Sequence, residues 1–520
     1  MTIRKKLLAI AVAAACSGSA AAAPGDERAR VEILHETTLN LIQLLVEQGV
    51  LKQEAADDML KKAELRAAEK TAQAQAAEAA SGKDVVRVTY VPEIVRNEIR
   101  EQIREEVVAQ AKQERWGDIN AVPEWLDRLK WEGDIRLRYQ ADLFDDGNAI
   151  PAAFQTIGQD IDNTQEDRHR ERVRLRLGLN ANVVSGVDAG IRITTGNTSD
   201  PVSTNQTLGT YDNKYSLVLD RAYLRLTPLE GLSISGGRIP NPFFSTDLVW
   251  DDDLNFEGVA ATFLPWPDAE RVWRPFVTAG VFPLQEIEEN GIDVRARDKW
   301  LLGVQGGAEW MPSQTTRVKA GASYYDYRNI AGIRNPTLND SFYDETAPRF
   351  RQKGNSLINI DNDGDITTDL WALAADYRIA NLTLVADFAW QEPLHVIGSF
   401  DWARNVGFDR AGILARTGQD IEPETDGYQV KLTVGYPKVN DFEKWQAFVG
   451  YRYLERDAVL DAFTDSDFHL GGTNAKGFFV GGSYGLYKNT WLAARWMSAD
   501  EISGLPLSID VFQLDLNARF

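Results

Sequence analysis

From Trp131 to Phe520 the chain alternates apolar and polar residues with a period of two, in segments of roughly 9–13 residues. In the first segment Trp131, Gly133, Ile135, Leu137, Tyr139 and Ala141 share one face, and Glu132, Asp134, Arg136, Arg138, Gln140 and Asp142 share the other. In the second, Val173, Leu175, Leu177, Leu179 and Ala181 alternate with Arg172, Arg174, Arg176, Gly178 and Asn180. A soluble sandwich also alternates, but three features point the apolar face outward. The segments are longer than ordinary strands and suit a tilted strand crossing a bilayer. Aromatic residues gather at segment ends: Trp131 and Tyr139, Trp300 and Trp310, Trp371 and Tyr377, Tyr428 and Tyr436, Trp445 and Tyr453. The polar face is rich in arginine, which a sealed core does not accept unpaired. The pattern predicts an all-β transmembrane antiparallel barrel with lipid outside and water inside.

Sixteen segments are readable, near 131–143, 170–183, 187–196, 215–227, 231–239, 254–264, 273–282, 299–310, 316–326, 369–379, 380–391, 426–436, 442–454, 476–486, 488–498 and 509–520. Short connections, such as Ser185-Gly186 and a direct passage at Ala380-Asn381, alternate with long ones such as 144–169, 327–368, 392–425 and 455–475. That is the arrangement of short periplasmic turns and long outer loops. An even strand number puts both ends of the barrel segment in the periplasm. The 327–368 stretch is long enough to hold one more hairpin, which would raise the number to eighteen.

Residues 1–23 read as a secretory signal peptide: Arg4, Lys5 and Lys6, an apolar run over 7–15, then small residues with a cut expected among 20–23. Cys16 after Ala13-Ala14-Ala15 is a weak lipoprotein signal; under the favoured cut the single Cys is removed. Residues 24–82 predict a periplasmic helical hairpin and linker. Val31, Leu34, Leu41, Leu44 and Leu45 have helical spacing and Gly49 ends the first helix. Residues 83–130 predict a short strand, 85–91, and an amphipathic helix, 93–115. Val95, Ile99, Ile103, Val107 and Ala111 form one narrow stripe on that helix. The stripe suits packing within the chain or a coiled coil that joins a homotrimer.

The final segment places Phe512, Leu514, Leu516, Ala518 and Phe520 on one face. It resembles the C-terminal signal by which bacterial outer-membrane proteins are handed to the barrel-assembly machinery. Val86-Arg87-Val88-Thr89-Tyr90-Val91-Pro92-Glu93, Pro123-Glu124-Trp125-Leu126-Asp127-Arg128, Gly133-Asp134-Ile135-Arg136-Leu137-Arg138, Asp220-Arg221-Ala222-Tyr223-Leu224 and Gly237-Arg238-Ile239-Pro240-Asn241-Pro242-Phe243 resemble the putative-porin family of Gram-negative bacteria. The resemblance covers most of the mature chain. It implies an outer-membrane porin with a periplasmic helical N-terminus, and no particular solute.

A sixteen-strand barrel leaves an aqueous channel, so function lies in what lines it. The inward candidates are Arg136, Arg138, Arg172, Arg174, Arg176, Arg192, Arg221, Arg225 and Arg238, all on the first five segments. Inward acids are Glu132, Asp134, Glu257, Glu309, Asp376, Asp387 and Asp515. Such charges either set up a transverse field that tunes selectivity or pair off and fill the lumen. The connection 240–253 is the third long loop, and the porin resemblance implies that it folds inward. Asp251, Asp252 and Asp253 would then stand opposite the arginines.

Asn359, Asp361, Asp363 and Asp365 match half of a calcium loop, but Leu370 occupies the position that needs a bidentate Glu, so an acidic surface loop is expected. His35, His169, His395 and His469 are dispersed, and no catalytic spacing stands out. No enzyme activity, cofactor or metal is therefore expected. The net charge of −21 argues against nucleic acid as a partner. Two functions remain: a passive diffusion porin for small hydrophilic solutes or ions, and a structural anchor whose N-terminal helices tether peptidoglycan or a periplasmic partner.

Overall fold

The computed structural model describes residue 61 and residues 128–520, apart from 268–270, 337–339 and 366. The expectations for the signal peptide, the N-terminal helices and their stripe lie outside the described residues. Within them, sixteen antiparallel strands form a closed barrel. We number them β1 (Leu129–Phe144), β2 (Arg168–Val184), β3 (Val187–Thr194), β4 (Val218–Leu229), β5 (Leu232–Pro240), β6 (Asn255–Phe263), β7 (Trp273–Gln285) and β8 (Lys299–Ser313). The second half is β9 (Thr316–Arg328), β10 (Arg378–Gln391), β11 (Leu394–Asn405), β12 (Asp426–Gly435), β13 (Trp445–Leu454), β14 (Ala475–Tyr487), β15 (Thr490–Glu501) and β16 (Ser508–Arg519). β1 pairs with both β2 and β16, from Asp134↔Arg519 to Phe144↔Ile509. Closure gives every strand a neighbour on each side, which a bilayer requires because lipid cannot satisfy an unpaired backbone.

The alternation sets the two faces. Ile135, Leu137, Leu224, Val259, Val304 and Val430 stand exposed on the outer wall. Trp273 and Trp310 stack there near the short turns, with ring centroids 5.8 Å apart. Tyr428 and Tyr453 stack near the long loops at 5.5 Å. Leu514, Leu516 and Phe520 are exposed and continue the band with Phe512.

One segment differs from the sequence reading although the number of strands agrees. Residues 369–379 are not a wall strand. Trp371–Leu373 pairs with Leu357–Asn359 as a small two-stranded sheet inside the 329–377 connection, and Tyr377 is fully buried rather than part of a girdle. Ala380 and Asn381 lie within β10, whose partner β11 occupies part of the stretch taken for a long loop. The turn between them is Glu392-Pro393. Among the described residues the wall does not reach eighteen strands, because the small sheet docks among loop residues instead of joining it.

Candidate functional site

The lumen has two unlike walls. On one side, near the long-loop end, β6 to β10 turn Phe256, Phe282, Leu301, Tyr325 and Ile379 inward, all deeply buried. Three connections fold onto this apolar surface. Loop 241–254 contributes Phe243, Leu248, Val249 and Trp250; connection 329–377 contributes Leu373 and Tyr377; connection 455–474 contributes Val459 and Leu460. Trp250 is the hub, with ring centroids 5.0 Å from Tyr325 and 4.9 Å from Phe256. The burial of large apolar side chains drives this docking. Polar pins set its register: Thr246 Oγ1 donates to Asp401 at 2.6 Å, the Phe244 N–H to Gln305 at 2.8 Å, and the Asp251 N–H to the Phe463 carbonyl at 2.8 Å. The third loop thus folds inward as its position suggested.

The other wall carries arginine. Arg136↔Arg174 and Arg138↔Arg172 are register partners across β1 and β2, and Arg192↔Arg221 across β3 and β4. Strand parity puts all of them, with Arg176 and Arg225, on the lumen side. Most are paired. Arg174 and Arg176 both reach Asp134 at 2.8 Å, and Arg176 also reaches Asp253 of the inward loop at 3.0 Å. Arg138 binds Asp515 at 2.7 Å and Asp467 at 3.0 Å. Arg192 pairs with Asp220, and Arg221 donates to Asn255 at 2.6 Å. Arg225 lies nearer the short-turn end, 3.4 Å from Ser235 Oγ.

Some charges have no counter-ion. Arg136 and Arg172 donate only to the amide oxygens of Asn205 (2.5 Å) and Gln140 (3.2 Å). On the facing loop, Asp251 accepts the backbone N–H groups of Asp253 and Ser466 and makes no ion pair among the described residues. A cavity of about 230 Å³ lies between, lined by Arg136, Arg138, Arg174, Asp251, Asp252 and Asp253 among others.

The loop acids divide by neighbourhood. Burial tends to raise Asp253, but Arg174 and Arg176 outweigh it and hold the carboxyl below its ordinary value. Asp467 is likewise driven well down against burial by Arg138 and Arg495. Asp251 is pushed well up by burial and by Asp465 and Asp253, and Asp252 is pushed up to about 6 by burial and by Asp247 and Asp253.

The sequence reading missed several residues of this constriction. Asp465, Asp467, Asp247, Arg452 and Arg495 belong to it: Arg452 reaches Asp465 at 3.0 Å and Asp247 at 3.2 Å, and Arg495 reaches Asp467 at 2.5 Å. Glu257 is a correction. It shares the outer face of β6 with Val259 and pairs with Arg238 across the β5–β6 ladder, because parity there runs Arg238↔Glu257 and Gly236↔Val259. Both side chains stand outside the lumen. Asp376 lies in the 329–377 connection and not on a wall strand. The side chains of Asn359, Asp361, Asp363 and Asp365 accept backbone N–H groups of their own loop. Among the described residues no group of three His, Cys, Asp or Glu converges to hold a metal ion.

A closed sixteen-strand barrel, banded with apolar residues outside, narrowed by an inward third loop and lined with charge, defines the outer-membrane channel class. Residues 35–520 match the family model described as Putative porin, and the chain belongs to that family. No curated protein sequence matches. Among solved structures, the outer-membrane channel DcaP of Acinetobacter baumannii is similar at 12% identity, covering 75% of this chain and 97% of that one, with a TM-score of 0.39. Salmonella typhi OmpF in complex with daunomycin gives 12%, 75%, 97% and 0.41. The trimer form of Vibrio cholerae OmpT gives 12%, 75%, 99% and 0.40.

Proposed function

We propose that the channel passes small hydrophilic solutes by passive diffusion and sorts them at the arginine wall. The observation that carries this is the residual charge at the constriction: Arg136 on the wall and Asp252 on the loop line one cavity, and Arg172 stands beside Arg138 with only an amide oxygen as partner. Fixed charges of opposite sign across a narrow lumen orient dipolar solutes and bias ion passage. Arg174 and Arg176 are bound to Asp134 and to Asp253 of the loop and tie that loop to the wall. The protein is a conduit, with no chemical step assigned to it.

Reversal potentials in planar bilayers under a KCl gradient test the reading. Arg136→Gln should shift permeability toward cations without changing the heat-modifiable gel mobility of the folded barrel. Folded protein that gives no conductance steps would refute it. We further propose that residues 24–130 lie in the periplasm and that the 95/99/103/107 stripe joins three copies. Crosslinking of intact membranes with and without residues 24–120 tests both.

A further inference from the structure

The barrel wall is interrupted beside the inward loop. The β4–β5 ladder ends at Ala222↔Arg238, and the β6–β7 ladder ends at Val259↔Val281. β5 and β6 continue together to Pro240↔Asn255, paired only with each other. The departure point is the register pair Gly237↔Gly258, with φ of +114° and +136°. That backbone favours glycine. A Cβ on Gly237 would lie 2.4 Å from the Ala222 carbonyl oxygen, and one on Gly258 would lie 2.2 Å from that of Val281. The last rungs on both sides therefore close over glycine, and beyond them the hairpin leaves its neighbours.

A cavity of about 970 Å³ occupies this break. It is lined by residues of both faces of the wall: Leu219, Arg238 and Glu257 from outside, Trp250, Phe256 and Phe282 from inside. Leu219 is the register partner of Ile193 on the outer face and is 59% exposed. One cavity lined by residues of both faces therefore lies within the break in the wall. Its volume is that of a drug-sized site and its lining is mostly apolar, which a purely aqueous channel does not require.

One wall of the chamber carries a buried cation. Lys299 is 5% exposed; its Nζ donates to Gln285 Oε1 at 2.9 Å and to the Ala347 carbonyl at 2.7 Å, and it makes no ion pair among the described residues. Glu345 reaches it only through Gln285, whose Nε2 donates to that carboxylate, so the ammonium has no direct counter-ion, which is costly. Asp461 also lines the chamber, with Oδ1 buried and without a partner. Burial, against the pull of Arg351, pushes its carboxyl up to about 7, so it supplies a proton as readily as a charge. Of the other lining cations, Arg238 is occupied by Glu257 and Arg349 lies 3.5 Å from Glu345.

We infer that this chamber binds a single-chain or aromatic monocarboxylate, its apolar body against Phe282 and Trp250 and its carboxylate at Lys299, with entry through the window beside Leu219. The inference rests on reading the barrel as membrane-embedded but is independent of conduction. The test uses the full chain in phosphatidylcholine nanodiscs with 11-(dansylamino)undecanoate as the fluorescent probe, and decanoate, decanol and decylammonium as competitors. The expected result is saturable binding near one probe per chain, displaced by decanoate roughly tenfold more readily than by decanol, as one charge-assisted hydrogen bond implies. Lys299→Met should erase the preference for decanoate over decanol, and Leu219→Trp should slow or abolish uptake. Both variants should keep the folded gel mobility and single-channel conductance, so that failed binding is distinguishable from a failed channel. Absence of saturable binding, equal displacement by decanoate and decanol in the unaltered chain, or a co-purified phospholipid or lipopolysaccharide that decanoate does not displace would each overturn it.

Discussion

Asp253 is the tie between the inward loop and the arginine wall, and its removal can be worked through in advance. Its carboxylate takes Arg176 at 3.0 Å, approaches Arg174 at 3.8 Å and accepts Thr204 Oγ1 at 2.9 Å. Asp253→Asn keeps the shape and an oxygen for Thr204 but loses the charge. Hydrogen bonds to charged groups contribute about 1.5–3 kcal/mol each, so the loop's hold on the wall weakens by about 2 kcal/mol, roughly 30-fold in the docking equilibrium. The loss stays below the 3–5 kcal/mol expected for an orphaned buried charge, because both arginines retain Asp134 at 2.8 Å. Asp134→Asn should cost a similar amount for the mirror reason. The double variant leaves two arginines without an acid, so its cost should exceed the sum of the single costs by about 1–2 kcal/mol. Urea unfolding followed by gel mobility gives the energies, and reversal potentials give the charge effect. Each single variant should raise anion preference and conductance noise. Strict additivity, or an unchanged reversal potential in Asp253→Asn, would refute the account of the loop as held by a shared arginine pair.

Other expectations follow from the same geometry. Asp252, pushed up to about 6, loses charge as pH falls from 7 to 5, while the arginines do not. Anion preference should therefore rise over that interval, and Asp252→Asn should flatten the change. His469 is fully buried beside Lys353, and its pKa is held well below 6.5 by burial and then by that ammonium. The unfolded chain binds a proton that the folded chain refuses, so stability is full above pH 6.5 and falls below it. His469→Gln should remove that acid sensitivity in urea titrations at pH 5 and pH 8. Trp250→Ala removes the hub of the lumen cluster and should cost about 3–5 kcal/mol, read in the same titration, with larger and noisier conductance steps.

Much of the wall was legible because parity is local. Each β-residue declares its face through its own neighbours, and fifteen of the sixteen strands could be located that way. The exception is instructive. Trp371 to Tyr377 alternates like a wall strand, yet its apolar residues meet other loops. True β11 was hidden because the two-residue turn at Glu392-Pro393 resembles the opening of a loop. The arginine wall was readable for the same reason as the strands. Its acidic counterparts on 455–474 were not, since Asp467 meets Arg138 across 329 residues and no local pattern reports that approach. Glu257 misled because polarity was equated with the lumen, although a polar residue near the rim can equally stand outside and pair with Arg238.

The seam between β1 and β16 bears on assembly order. The Gly133 N–H reaches the Phe520 carbonyl at 2.9 Å, and the Phe520 N–H returns to Gly133 at 3.0 Å. The seam's outermost rung thus joins β1 to the residue that follows β16. Without β16, one side of β1 is left unpaired. A chain shortened by a dozen residues would present two open edges, at β1 and β15, in place of none. Lipid cannot satisfy either open edge, so the wall is complete only when the β1–β16 rungs form.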